Sequence, residues 1–147
     1  MRNQAIKSAR LRTGRRYLVN HYYHLTTTTR DRREIFTELY AVRRLVRCMS
    51  QEECQQTVHS IAYVVMPDHL HWLVQSLDGD IASVMRRVKA RSSKALGGNV
   101  WQVGYHDRCL RKEEDIRQVA RYIVANPLRA GLVERVHDYA HWDVCYL

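Results

Sequence analysis

Apolar positions along the chain fall into blocks whose spacing switches between strand pitch and helix pitch. The first block, YLVNHYYHLTTT from Tyr17 to Thr28, is dense in aromatic and β-branched side chains. Such residues suit a pleated, half-buried surface, so the block predicts a strand. Ile35, Leu39, Val42, Val46 and Met49 then recur at helical spacing. They predict an amphipathic helix from about Glu34 to about Cys54, with Arg43, Arg44 and Arg47 on its other face. Val58 to Val65 predicts a second strand and His69 to Gln75 its return. The turn between them is Met66-Pro67-Asp68, where Pro67 presets its own φ and Asp68 is a common turn residue.

Asp80 is placed to cap a second helix, Ile81 to Leu96, whose core side is Ile81, Val84, Met85, Val88 and Ala95. Gly97-Gly98 ends it. A short irregular strand region covers Val100 to Leu110. The last helix starts near Glu113, with Glu113, Glu114 and Asp115 in its first turn to complement the helix dipole. Its stripe is Ile116, Val119, Ala120, Ile123 and Val124, and Pro127 stops it. The order β-α-β-β-α-β-α contains a βαββαβ core, the ferredoxin-like split βαβ plan. The expected class is α+β, an antiparallel sheet of four to five strands with helices packed on it.

With 147 residues the chain is sized for one domain, expected over residues 17–147. Residues 1–16 precede it as a basic arm carrying Arg10, Arg12, Arg15 and Arg16. No stretch of about 18 apolar residues is present, which excludes a membrane-spanning helix. The opening residues read as neither a secretory signal nor an anchor. The four cysteines, Cys48, Cys54, Cys109 and Cys145, form no CxxC pair and predict reduced, mostly buried thiols in a cytosolic protein.

Charge narrows the partner. Lys and Arg number 24 against 15 acids, a net +9, and Arg supplies nearly all of the excess. That field draws polyanions, and the guanidinium fork grips phosphate with paired hydrogen bonds, so nucleic acid is favoured over a membrane surface. The second predicted helix carries Arg86, Arg87, Lys89, Arg91 and Lys94 with no acid among them. Helix charges usually mix signs, so this face reads as one that tracks phosphates.

Two constellations carry chemistry. On a strand, residues two apart point the same way, so His69 and His71 present paired imidazoles while Leu70 turns inward. Neutral imidazole is a common ligand for divalent ions, although a bare HxH is more often a pair of surface histidines. On the last helix Tyr122 and Asn126 share a face, one turn apart. Tyr122 offers a hydroxyl able to attack phosphorus, and Asn126 a carbonyl oxygen able to complete a two-histidine metal site. Alone, each reads as an ordinary packing residue and an ordinary helix end. His21 and His24 lie on opposite faces of their strand and make no pair. No Walker loop, GxGxxG or GxSxG is present.

Three stretches read together: YVVMPDHLHWL from Tyr63, WQVGYHDR from Trp101 and RYIVANPLRAGLV from Arg121. In this order and spacing the chain, from Tyr17 to Val133, closely resembles the REP-associated tyrosine transposases of the HUH superfamily of single-strand nucleases. The resemblance implies that His69 and His71 bind a metal, that Tyr122 is the nucleophile and that Asn126 supplies a third ligand. It also implies a five-stranded antiparallel sheet with helices on both sides, and a divalent ion, Mg²⁺ or Mn²⁺. The expected partner is single-stranded or hairpin DNA from a palindromic repeat, with no nucleotide cofactor and a monomer rather than a dimer. Transfer would pass through a 5′-phosphotyrosine in a bacterial cytoplasmic, nucleoid-associated protein. The alternatives are a DNA-hairpin-binding protein without catalysis and an RNA-binding domain, for which no RNP1-like run is present.

Overall fold

The computed structural model describes residues 17–145. The arm residues Arg10, Arg12, Arg15 and Arg16 lie outside the described residues. Five strands, β1 (Tyr22–Thr28), β2 (Val58–Met66), β3 (His69–Ser76), β4 (His106–Leu110) and β5 (Trp142–Val144), form one sheet. Its order is β4-β1-β3-β2-β5, and every pairing is antiparallel. The helices are α1 (Leu39–Cys54), α2 (Ile81–Ala95), α3 (Glu113–Val124) and the single turn α4 (Asn126–Arg129). The first four strands have the spatial order of the split βαβ plan, and β5 extends the sheet along β2.

Alternation along β3 divides the core. Leu70, Trp72 and Val74 join Tyr23 and Leu25 of β1 beneath α1 and α2, which contribute Val42, Leu45, Met49, Ile81, Met85 and Val88. Leu73 turns the other way and packs with Val64, Met66 and Leu110 against Ala120 and Ile123 of α3. Helices therefore cover both faces of the sheet. The same alternation sends His69 and His71 to the α3 side.

Five expectations are corrected. The first long helix starts at Leu39 instead of Glu34, because Ile35–Thr37 forms a 3₁₀ turn. Phe36 there is fully buried and stacks on Trp101 with ring centroids 5.3 Å apart. Its N–H donates to the Pro67 carbonyl at 3.0 Å, docking the segment on the β2–β3 turn. The inward side of α1 is rotated accordingly: Ala41, Leu45 and Cys48 are buried, whereas Leu39 is 50% exposed.

The first strand begins at Tyr22, after a turn in which Asn20 adopts φ 64°. In the Val100 to Leu110 region only His106–Leu110 is a strand, since Gly104 at φ 85° breaks the extended run. Of the cysteines only Cys48 is buried. Cys54 ends α1, and Cys109 and Cys145 lie on or beside the two outer strands, where little covers them.

Candidate active site

The turn and the strand after it build the centre. His69 and His71 lie side by side with ring centroids 4.9 Å apart. The Asp68 carboxylate accepts the His69 Nδ1 hydrogen bond at 2.7 Å. Its second oxygen accepts from Arg32 Nη1 at 3.0 Å. Burial raises the Asp68 carboxyl, but the hydrogen bonds and charges of His69 and Arg32 outweigh it and hold the group below its ordinary range.

His71 is more enclosed, 9% exposed. Its partners come from β1, whose register sets Thr26 opposite His71 and His24 opposite Leu73. His71 Nδ1 lies 3.0 Å from His24 Nε2 and 3.2 Å from Thr26 Oγ1. Burial, with the charges of His69, His24 and Arg129, lowers the His71 pKa to about 3. Burial and the cross-strand neighbour Arg108 lower His24 to about 4. Both rings are neutral at neutral pH, the state that offers a lone pair to a metal.

Tyr122 comes from α3 and meets these rings edge-on. Its centroid is 6.0 Å from that of His71 and 6.4 Å from that of His24. The phenol remains 46% exposed. Arg129 of α4 lies over the ring, its guanidinium carbon 3.8 Å from the centroid, and Nη2 donates to the Tyr122 carbonyl at 2.8 Å. Asn126 opens α4, and its side-chain nitrogen is buried without a hydrogen-bond partner.

The structure thus gathers His69, His71 and Tyr122, with Asn126 one turn beyond the phenol. His24 and Arg129 join them without having been singled out from sequence. Strand alternation separates His24 from His21, and its partner sits instead across the β1–β3 register. Arg129 falls at i+7 from Tyr122, a helical repeat that spacing could have revealed.

The other predicted cations stand elsewhere. Arg43, Arg44 and Arg47 on α1, and Arg86, Arg87, Lys89, Arg91 and Lys94 on α2, belong to the helices that cover the opposite face of the sheet. Arg87 and Arg91 hold the buried Glu52 of α1, with Arg87 Nε 3.0 Å from both carboxylate oxygens and Arg91 Nη1 3.1 Å from one. Burial raises the Glu52 carboxyl, but hydrogen bonds from Arg87 and Thr57 bring it below its usual range. Lys89 Nζ donates to the carbonyls of Gln102 and Gly104 at 2.7 Å each. Part of the positive charge that looked unanswered along α2 is answered from α1. Arg44, Arg47, Arg91 and Lys94 line a groove between the two helices.

A divalent ion fits the donor chemistry. A histidine whose Nδ1–H is held by a carboxylate keeps Nε2 bare for a metal, and His69 has that arrangement with Asp68. His71 can donate its Nδ1–H to His24 or Thr26 to the same effect. The Asn126 amide, whose nitrogen lacks a partner, would present its oxygen there on a half-turn. Among the described residues no three His, Cys, Asp or Glu side chains converge as a metal-binding group. An ion there would meet two imidazoles and an amide, with positions left open for water and phosphate.

Known proteins share this fold. Residues 17–126 match the family described as transposase, IS200 like. The REP-associated tyrosine transposase of Escherichia coli (strain K12) is 29% identical over 129 residues, spanning 85% of this chain and 77% of that protein. A solved structure of a REP-associated tyrosine transposase bound to a REP hairpin is similar with a TM-score of 0.77 and 26% identity, over 87% of this chain and 79% of that one. A crystal structure of a candidate transposase from Deinococcus radiodurans R1 shares the fold, with a TM-score of 0.54 and 24% identity over 75% of this chain and 93% of that one. The sheet order, the helices on both its faces and the match over residues 17–126 make this chain a member of the IS200-like transposase family.

Proposed function

We propose that this protein cuts and rejoins single-stranded DNA beside palindromic repeat hairpins, with Tyr122 as nucleophile and a divalent ion held by His69, His71 and Asn126. The observation that carries this reading is the 6.0 Å approach of the Tyr122 ring to His71, made by a helix and a strand far apart in sequence. Family membership and a similar protein solved with a REP hairpin support the same substrate class.

When bound, Mg²⁺ or Mn²⁺ would withdraw charge from the scissile phosphate and ease removal of the tyrosine proton. Two nitrogen donors suit Mn²⁺ better than Mg²⁺, which prefers oxygen. His71, neutral and set by His24, and His69, oriented by Asp68, hold the site. Tyr122 Oη attacks phosphorus in line, the P–O3′ bond breaks, and the 3′ oxygen leaves and takes up a proton. The 5′ phosphate stays on the tyrosine, so bond energy is conserved and no ATP is required. A second 3′-hydroxyl attacking the phosphotyrosine rejoins the strand and restores Tyr122.

His71 lies deep against the sheet, so an unpaired strand reaches it more readily than a duplex. Arg32, paired with Asp68, and Arg108, opposite His24 across β1, supply cations near that strand. The exposed cations of α1 and α2 are left to phosphates further along the DNA. Imidazoles and phenol belong to one chain, which supports action as a monomer. Such a substrate suits a nucleoid-associated protein, and no helix among the described residues is long and apolar enough to cross a membrane.

The reading is tested with a hairpin oligonucleotide bearing a single-stranded flank, with and without Mn²⁺. Wild type should cleave and Tyr122→Phe should not. Tight binding without cleavage by wild type would favour a hairpin-binding protein instead.

A further inference from the structure

Tyr122, Asn126 and Arg129 occupy positions i, i+4 and i+7, on α3 and the single turn α4, which meet at Ala125 with helical backbone angles. The last turn of α3 frees carbonyl oxygens, because a helix end runs out of N–H donors and Pro127 has none to give. Arg129 N donates to the Ala125 carbonyl at 3.1 Å and Ala130 N to that of Asn126 at 2.9 Å, which closes α4 as a single turn. Gly131 at φ 73° then ends the helical run. This closure carries the Arg129 side chain back along the helix to Tyr122.

There it makes two contacts with the same residue. The guanidinium carbon is 3.8 Å from the phenol centroid, and Nη2 donates to the Tyr122 carbonyl at 2.8 Å. The second contact fixes the guanidinium to the backbone of the residue whose ring the first one covers. Without such a brace a half-exposed helical tyrosine has more than one side-chain rotamer open to it. His71 and His24 touch the ring only edgewise, with planes at 89° and 68°, and neither grips it.

We infer that Arg129 is a positioning residue that aims the Tyr122 phenol at the paired imidazoles, an inference resting on Tyr122 as the nucleophile. A flat guanidinium can both stack on a ring and keep its edge free for a carbonyl. Lysine offers a charge but no plane. Arg129→Lys should therefore fail to replace it, unlike at a site that needs charge alone. A residue that merely gripped DNA would act on affinity, whereas a positioning residue acts on the step after binding.

The experiment compares wild type, Arg129→Ala, Arg129→Lys and Tyr122→Phe for hairpin affinity and for single-turnover cleavage at saturating DNA with Mn²⁺. A parallel ¹⁹F spectrum of metal-free, DNA-free protein carrying 3-fluorotyrosine at position 122 reads the ring directly. Arg129→Ala should slow cleavage on the order of 100-fold with hairpin affinity changed less than about threefold. Arg129→Lys should recover less than about a tenth of the wild-type rate. The ¹⁹F resonance should move toward its position in unfolded protein in both variants while far-UV circular dichroism stays native. Full cleavage by Arg129→Ala, full rescue by lysine, an unmoved ¹⁹F resonance, or a loss explained by affinity alone overturns the inference while leaving the nucleophile intact. Cleavage by Tyr122→Phe would instead overturn the assignment on which it rests.

Discussion

His24 Nε2 lies 3.0 Å from His71 Nδ1, so a ring on one strand governs which nitrogen of a ring on the next is free. For His71 to offer Nε2 to an ion, its Nδ1 carries the proton, and His24 Nε2, the nearer acceptor, takes that hydrogen bond with its own proton on Nδ1. His24→Leu removes that acceptor, while Thr26 Oγ1 at 3.2 Å remains as a partial substitute. Mn²⁺ affinity, followed by electron paramagnetic resonance, should fall about tenfold. Unchanged affinity would mean that His24 does not set the His71 tautomer.

The same pair governs acid stability of the metal-free protein. The folded pKa values, about 3 for His71 and about 4 for His24, lie below the ordinary 6.5 of the unfolded chain. As pH falls, the unfolded state takes up these protons first. Stability is therefore full above about pH 6.5 and declines as pH falls toward the folded values. Urea midpoints measured with chelator at about pH 7.5 and about pH 4.5 should differ more in wild type than in a His24→Gln, His71→Gln double variant. Equal differences would contradict neutral burial of the pair.

Asp68 joins the β2–β3 turn to the site through His69. Asp68→Asn keeps the shape but loses the charge that holds the His69 N–H, and Arg32 loses its ion pair. Metal affinity should drop on the order of 10- to 100-fold. Hairpin binding without metal should change little, which a filter-binding assay checks.

Removing both imidazoles of the proposed metal site separates chemistry from binding. His69→Ala with His71→Ala should abolish cleavage and leave most hairpin affinity, because phosphate contacts dominate binding. An equal loss of both would assign the histidines to the fold or to DNA contact.

Glu52 predicts a stability effect remote from the site. Its side chain is 1% exposed and is shared by Arg87 and Arg91. Arg87→Ala leaves the buried carboxylate with only Arg91 and Thr57 and should cost about 3 kcal/mol in urea denaturation. Arg91→Ala should cost less, since Arg87 makes three of the four arginine hydrogen bonds to Glu52. The reverse ranking would contradict the clamp.

Local period made much of this legible. Alternation alone put His69 and His71 on one face, and helical spacing put Tyr122 beside Asn126. The βαββαβ order also followed from pattern, whereas the fifth strand was expected only through the family resemblance, since no periodic stretch marks Trp142–Val144. What stayed hidden were partners chosen by tertiary packing. Phe36 abandons the helix for Trp101 and the Pro67 turn, a choice that no window around Glu34 contains. The acid-free stretch of α2 finds its acid on α1, as Glu52. His24 needed the β1–β3 register, because its partner is 47 positions away in sequence. The cysteines followed sheet edges and a helix end that composition does not reveal.

The central claim is most directly tested by trapping the link between protein and DNA. A 3′-labelled single strand carrying the repeat hairpin is incubated with wild-type protein and Mn²⁺, denatured, and the labelled protein is digested for peptide mapping. An adduct on the Tyr122 peptide, absent with chelator and absent in Tyr122→Phe, is the predicted result. Cleavage that leaves no adduct, or an adduct on another residue, would contradict it.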